Sequence, residues 1–132
     1  MIIVESVFER KQKFVDVIHT KQYKMIKEEL IMSKVYGYCR VALACKEEMT
    51  EQMVLVDTYC NEHGLELDKY FCDNGVSGLN SHREEFNKML YVLQEGDIVV
   101  VKDVARISRD IKQCMSFIEL MDQLGVTVKT VY

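Results

Sequence analysis

The sequence predicts an α/β fold, a three-layer sandwich in which helices cover both faces of a mostly parallel central sheet. Short apolar runs alternate along the chain with stretches of helical periodicity, which is the pattern of successive βα units. The β-branched run Asp97–Val101 is typical of a strand that is covered on both faces. With 132 residues, 48% of them hydrophobic, the chain is long enough for one core of ordinary size.

The first part of this domain is predicted to contain two strands and the helix between them. The first strand is predicted at Val35–Val41, where an apolar run precedes a helical pattern. That helix ends before Gly64, and its inner face carries Met49, Met53, Val56 and Cys60. The second strand is predicted at Leu65–Phe71, and the turn-forming residues of 73–78 predict a loop after it.

The second part repeats the alternation. A helix that ends near Gly96 is predicted to carry Phe86, Met89, Leu90 and Leu93 on its inner face. After the third strand, at Asp97–Val101, comes the polar segment Lys102–Arg109. A last helix ends at Gly125, and its apolar stripe carries Cys114, Phe117, Ile118 and Met121. With a fourth strand at Val126–Tyr132, the order is βαβαβαβ with short, right-handed connections.

Residues 1–33 form a separate segment. Phe14, Ile18, Met25 and Ile26 fall at helical spacing among Lys and Glu, so we predict a helical extension before a domain at 34–132. A solvated or partly docked helix and a partner-binding helix both agree with this pattern, and the sequence does not choose between them.

The composition excludes several classes of protein. No apolar run approaches the roughly 20 residues that cross a bilayer, and the N-terminus lacks the pattern of a signal peptide, so we predict a cytoplasmic protein without a membrane partner. The five cysteines form no CxxC pair and the three histidines are dispersed, so we predict neither a disulfide framework nor a metal site. The net charge of −4 argues against binding to nucleic acid by overall attraction, so any DNA contact must be local.

A local basic site is predicted at the carboxyl ends of the strands. Arg40 lies near the end of the first strand, Arg83 follows the second, and Arg106 and Arg109 follow the third. Because the carboxyl ends of parallel strands meet at one edge of a sheet, we expect these side chains to point to a common place. Guanidinium groups bind phosphate through paired hydrogen bonds and stay charged, so such a cluster suits a phosphodiester. Each arginine taken alone also agrees with an ordinary surface or helix-end salt bridge.

Five short motifs occur in order along these segments. They are Tyr36-Gly37-Tyr38-Cys39-Arg40-Val41-Ala42, Phe71-x-Asp73-x-Gly75-x-Ser77-Gly78, Arg83-x-x-Phe86-x-x-Met89-Leu90, Gly96-Asp97-Ile98-Val99-Val100-Val101 and Arg106-x-Ser108-Arg109-Asp110. In order and spacing they resemble the N-terminal catalytic domain of the serine recombinases, the resolvase and invertase family. Each motif alone is weak, but the resemblance extends from about Val35 to Tyr132.

The resemblance implies a site-specific DNA recombinase that needs no metal or other cofactor. In the family a serine hydroxyl attacks a DNA phosphodiester in line, which forms a 5′-phosphoserine link and frees a 3′-hydroxyl, while arginines stabilise the transition state. The residues that match the phosphate-binding arginines are Arg40, Arg83, Arg106 and Arg109. Gln52 matches a glutamine near the site, and Asp73 and Ser77 match the loop that borders it. For Ser77 a local turn hydrogen bond explains the residue better than a direct catalytic part.

Two positions depart from the family pattern. Ala42 stands at the position of the nucleophilic serine, and a methyl group cannot form a phosphoester. Ala105 replaces the acidic residue that the family places before the paired arginines. The resemblance therefore implies a domain that does not cleave DNA strands.

No neighbouring side chain is expected to replace the missing groups. Cys39 is predicted to face away from Val41, and Cys45 lies in the loop, where attack on DNA would require the whole segment to move. Asp103 is the nearest candidate for the missing acid, although a surface carboxylate is the simpler interpretation.

Two functions remain open at this point. One is the catalytic-type domain of a serine recombinase, inactive here as a natural relative or as an engineered variant, with DNA as its partner. The other is a non-catalytic module that associates with an intact recombinase. Family members continue into a long dimer-forming helix and a helix-turn-helix domain, whereas this chain stops at Tyr132. We therefore expect weak DNA binding by the chain alone, and a homo-oligomer or a partner recombinase.

Overall fold

A computed structural model of the chain describes residues 33–78 and 83–132. Within these ranges the strands are β1 (Val35–Val41), β2 (Lys69–Asn74), β3 (Ile98–Val101) and β4 (Thr127–Thr130), and the helices are α1 (Lys46–Glu62), α2 (Glu84–Val92) and α3 (Ile111–Leu124). A turn of 3₁₀-helix at Val104–Arg106 follows β3. None of the helices described here has the length and apolar character needed to span a membrane. The predicted helix within residues 1–33 lies outside the described residues, apart from Ser33.

The four strands form one parallel sheet in the order β2-β1-β3-β4. The central strand β1 pairs with β2 from Tyr36 to Val41, but with β3 only from Val35 to Tyr38. The last three residues of β1 therefore have a neighbouring strand on one side only. The loops that follow the strands meet at this carboxyl edge of the sheet.

Helices cover both faces of the sheet. On one face, Val56 and Cys60 of α1 pack against Val35 and Val100. The other face lies under α2 and α3, and its core contains Tyr36, Tyr38, Phe71, Phe86, Met89, Val99, Val101, Phe117 and Met121. Residues of β1 and β3 alternate between the two cores because successive side chains of a strand point to opposite faces. The predicted α/β sandwich with a parallel sheet is confirmed.

The bounds of β1 agree with the prediction, but β2 is displaced. It was predicted at Leu65–Phe71, whereas it begins at Lys69 and extends to Asn74. Leu65 and Leu67 pack against the core under α1, so their apolar character reflects this contact and not the strand ladder. Asp73, predicted to lie in a loop, is a buried residue of the strand.

Three smaller differences concern the second half of the chain. The helix α2 ends at Val92 because Leu93 is extended and the Asp97 carboxylate accepts the backbone N–H of Gln94. Ile118 is half exposed and does not belong to the inner face of α3. The last strand is four residues long, at Thr127–Thr130, although it was predicted to continue to Tyr132.

Asp97 joins the start of β1 to the turn before β3, and its removal is a test of this connection. Its buried carboxylate accepts the backbone N–H groups of Lys34 at 2.9 Å and Gln94 at 2.8 Å. We expect Asp97→Ala to lower the free energy of unfolding by about 2–4 kcal/mol in urea denaturation, since two hydrogen bonds to a charged group are lost. Asp122→Ala, on the exposed side of α3, is the control and is expected to change it by less than about 0.5 kcal/mol. Similar losses in both variants would contradict this role.

Candidate functional site

The end of β1 is held by Gln52 of α1. The backbone N–H of Arg40 donates to Gln52 Oε1 at 3.1 Å, and Gln52 Nε2 donates to the backbone carbonyl of Arg40 at 2.9 Å. These bonds satisfy the backbone of Arg40 beyond the point where β3 stops pairing with β1. Gln52 is buried, and both its amide oxygen and its amide nitrogen bond to the backbone of Arg40, so these contacts position Arg40.

The Arg40 guanidinium joins two loops. Its Nε donates to the carbonyl of Arg106 at 2.9 Å, its Nη1 to the carbonyl of Val76 at 3.1 Å, and its Nη2 to the carbonyl of Ala105. Val76 lies after β2, and the other two carbonyls belong to the turn after β3. The side chain is only 2% exposed, and a buried charge requires such hydrogen bonds to be stable.

Gly78 lies directly against this guanidinium. A Cβ atom at residue 78 would come within 2.9 Å of Arg40 Nη2 and 3.0 Å of Arg40 Cζ. The absence of a Cβ therefore allows the loop after β2 to approach the charged group closely.

Arg83 is buried beside Arg40 and shares one of its acceptors. Its Nη2 donates to Tyr38 Oη at 2.8 Å and to the carbonyl of Arg106 at 2.9 Å, while Nη1 donates to the next carbonyl of the same turn. Its Cζ lies 3.9 Å from the centre of the Phe86 ring, which is a cation–π contact. The turn after β3 is thus held by two guanidinium groups at once.

Tyr38 connects Arg83 to Asp73. Its hydroxyl accepts from Arg83 and donates to Asp73 Oδ2 at 2.7 Å. The buried Asp73 carboxylate also accepts the backbone N–H groups of Glu85 at 3.0 Å and Phe86 at 3.1 Å, in the first turn of α2. Asp73 therefore caps this helix from the neighbouring strand and places its charge at the positive end of the helix dipole.

Arg106 is the least buried of the three bonded arginines, at 18% exposure of its side chain. Its Nη1 donates to the carbonyl of Arg40 at 2.7 Å, and its Nε donates to Asp103 Oδ1 at 3.2 Å. Asp103 is therefore more than a surface carboxylate, because it orients Arg106. Arg109, the fourth predicted arginine, is exposed.

The electrostatics of the cluster favour an anion. The positive groups Arg40, Arg83 and Arg106 lie near one buried carboxylate, that of Asp73, and one partly exposed carboxylate, that of Asp103. Burial and then the positive charges of Arg106 and Arg83 lower the pKa of Arg40. An arginine nevertheless stays protonated, so the excess charge is positive.

The two alanines and Ser77 lie at the border of the cluster. Ala42 directly follows β1, and its side chain is exposed. Ala105 lies in the turn after β3 and contributes its carbonyl to Arg40. Ser77 is exposed in the loop after β2. The methyl groups of Ala42 and Ala105 provide neither a hydroxyl nor a carboxyl.

Of the two cysteines near Ala42, Cys39 is oriented differently from the prediction, whereas Cys45 lies in the loop, as predicted. Cys39 does not face away from Val41: two residues two positions apart on a strand share a face, and both pack with Met49 in one buried cluster. Cys45 precedes α1, and its Sγ lies 3.6 Å from Glu47 Oε2. Among the described residues, no three or more His, Cys, Asp or Glu side chains are placed to hold a metal ion.

Tyr38 was not among the predicted site residues, because an aromatic residue in an apolar strand indicates a core position. The available signal is its spacing from Arg40. Residues two positions apart share a face of the strand, so the side chains of Arg40 and Tyr38 are expected on the same face.

The region that holds this cluster is similar to known proteins. A family profile described as "Resolvase, N terminal domain" matches residues 35–132. A resolvase of Clostridium perfringens is 31% identical over 96 residues, which cover 72% of this chain and 47% of that protein. The chain thus spans about half the length of the curated relatives it matches.

Solved structures share the fold. A resolvase family site-specific recombinase from Streptococcus pneumoniae matches with a TM-score of 0.64 at 25% identity, over 75% of this chain and 72% of that one. The N-terminal catalytic domain of TP901-1 integrase matches with a TM-score of 0.67 at 17% identity, over 75% of this chain and 78% of that one.

Removal of the Tyr38 hydroxyl tests whether the network stabilises the fold. Tyr38→Phe takes a partner from both Arg83 and Asp73, so we expect the free energy of unfolding to fall by about 1–3 kcal/mol in urea at neutral pH. Tyr91→Phe changes a side chain that is 92% exposed, and we expect a change below about 0.5 kcal/mol. Equal effects of the two substitutions would contradict a structural role for the network.

The free energy of unfolding at alkaline pH gives a second test with the Tyr38→Phe variant. Burial raises the pKa of Tyr38 above its ordinary value of 10.0. The folded state keeps this proton to higher pH than the unfolded state, so the stability linked to it is complete below the unfolded pKa and is lost as pH rises through the folded pKa. Stability should therefore fall from about pH 10 upward, and less steeply in Tyr38→Phe than in the unsubstituted chain.

Proposed function

The chain belongs to the resolvase N-terminal domain family, and on that premise we propose that it is the catalytic-type domain of a serine recombinase that holds a DNA phosphodiester without cutting it. The observation that carries this proposal is an assembled arginine cluster beside an alanine, Ala42, at the end of β1. The arginines supply positive charge for a phosphate, whereas alanine supplies no attacking atom.

The arginines divide into two groups by burial. Arg40 and Arg83 are buried and donate to carbonyls, so their proposed part is to hold the loops and contribute positive potential. Arg109 is exposed and Arg106 is partly exposed, so we assign direct contact with phosphate oxygens to these two. The net charge of −4 makes attraction of DNA to the rest of the surface weak and supports a local contact.

The proposed chemistry stops at binding. In the family reaction a serine at the position of Ala42 would lose its proton and attack phosphorus, and arginines would stabilise the charge on the non-bridging oxygens. With a methyl group at residue 42 that step has no nucleophile, and the phosphodiester stays intact. Residue 105 carries no acidic group. Asp103 instead orients Arg106 by accepting a hydrogen bond from its Nε.

Arg109→Gln tests the phosphate contact. Binding of the full chain to a short labelled DNA duplex is measured by fluorescence anisotropy at several low salt concentrations. We expect weaker binding and a smaller salt dependence, with the slope of log K against log salt reduced by about 1, because one phosphate contact is lost. Lys34→Gln removes the same charge at the amino end of β1, away from the cluster, and is expected to keep the slope.

Strand cleavage is measured on the same protein. The chain is incubated with supercoiled plasmid, and protein linked covalently to DNA is sought on a denaturing gel. We expect no adduct. An adduct formed by the chain would contradict the absence of cleavage, and equal salt slopes for the two variants would contradict the contact by Arg109.

A second candidate function is an interaction module that associates with an intact recombinase. Ile111, Met115 and Ile118 of α3 are 76%, 58% and 50% exposed, and their spacing places them on one face of the helix. Phe117 and Met121 fill the core from the inner side of the same helix. An exposed apolar stripe of this kind favours contact with another protein.

Met115→Glu tests this second candidate. The chain is mixed with a full-length member of the family, and association is measured by sedimentation velocity. Since a charge would then be buried in the contact, we expect Met115→Glu to weaken association by about tenfold or more. Gln123→Glu adds the same charge at another exposed position of α3 and should leave association unchanged. No association of the unsubstituted chain, or equal weakening by both substitutions, would contradict the module.

A further inference from the structure

Two cysteines lie side by side in the sheet. Cys39 of β1 pairs in register with Cys72 of β2, and both side chains pack in the cluster on the α1 face. Neighbouring strands lie about 4.8 Å apart. This spacing is within the Cα separation of roughly 4.4–6.8 Å that disulfides span. Both cysteines are free thiols in this structure.

We propose that Cys39 and Cys72 form a reversible disulfide when the folded protein meets a small disulfide such as glutathione disulfide. The proposal rests on their register, their common face and their difference in exposure. Cys39 is completely buried, whereas Cys72 is partly exposed. An oxidant therefore reaches Cys72 first. This modification site is independent of the arginine cluster and of the proposed binding of DNA.

The two thiols differ in burial and in pKa, and this difference gives them different reactivity. The interaction with Cys39 lowers the pKa of Cys72, and the interaction with Cys72 together with burial raises the pKa of Cys39. Because the thiolate is the nucleophile in thiol–disulfide exchange, Cys72 is the residue that starts the reaction.

The reaction consists of two exchanges. The Cys72 thiolate attacks one sulfur of glutathione disulfide, which forms a mixed disulfide and releases one glutathione thiolate. The Cys39 thiol then passes its proton to the released thiolate, and its sulfur attacks Cys72 Sγ. The second glutathione leaves as a thiolate and takes up the proton that Cys72 lost on ionisation. Cys39 and Cys72 together lose two electrons, and one glutathione disulfide is reduced to two thiols.

The remaining cysteines of the described region are placed less favourably for a bridge. Cys60 packs in a different cluster, between α1 and the sheet. The Sγ of Cys114 donates to the carbonyl of Ser108 at 3.0 Å, on the other side of the molecule's sheet. Cys45 packs against the cluster of Cys39 and Cys72 and is the one competitor in reach among the residues described.

Peptide mapping of the full chain tests the proposal. The folded protein is incubated with glutathione disulfide, quenched with iodoacetamide in denaturant, digested and examined by mass spectrometry. We expect alkylation to be lost at both Cys39 and Cys72, with the gain of one pair of peptides joined through these residues. A thiol reductant should restore both alkylated peptides.

Two variants control for the other thiols. Cys60→Ser should keep the bridge, and Cys72→Ser should leave Cys39 fully alkylated. The unsubstituted chain carries the main result, so the test does not depend on a variant of the buried Cys39. Full alkylation of both residues, glutathione retained on Cys72 with Cys39 alkylated, or a bridge between Cys72 and Cys45 would each overturn the proposal. A bridge that forms only in urea would also overturn it.

Discussion

The hydrogen bonds of the Arg40 guanidinium are the constraint on which the carboxyl edge of the sheet depends. A buried guanidinium must find acceptors for its donors, and the loop carbonyls must find donors, so each satisfies the other. Arg40 reaches one carbonyl after β2 and two after β3, which fixes two irregular segments against the end of β1. Gln52 in turn holds the backbone of Arg40. Arg40, supported by Gln52, therefore holds both loops at the end of β1, and Arg83 provides a second set of bonds to the turn after β3.

Asp73 and Tyr38 extend this constraint to a helix. Asp73 caps the first turn of α2 and accepts the hydroxyl of Tyr38, which in turn accepts from Arg83. A displacement of Arg83 would therefore disturb the first turn of α2. The Asp73 carboxylate bonds both to the Tyr38 hydroxyl, which contacts Arg83, and to the backbone of that turn. Polar networks in a low-dielectric interior stabilise strongly when every member is satisfied. Within the described residues no buried side-chain nitrogen or oxygen lacks a partner.

The sequence predicted the periodic parts of the molecule better than the irregular ones. The bounds of β1 and the end of α3 at Gly125 agree with the prediction, because apolar periodicity and a glycine in left-handed conformation mark them. The start of β2 was predicted too early. Leu65 and Leu67 are apolar because they pack in the core under α1, although they do not belong to the strand. The hydrogen-bond acceptors of the arginines could not be predicted, because most of them are backbone carbonyls and every residue type carries one. Asp103 and Tyr38 gained their roles only through this folding of the loops.

Residue 42 takes no part in the hydrogen bonds that hold this edge of the sheet. The bonds that hold the loops belong to buried side chains and to backbone carbonyls, whereas Ala42 is exposed and its methyl group is outside those bonds. Substitutions at exposed positions without such contacts usually change stability by less than about 0.5 kcal/mol. Residue 42 can therefore change in the course of evolution at little cost in stability, while the bonds that hold the two loops stay the same.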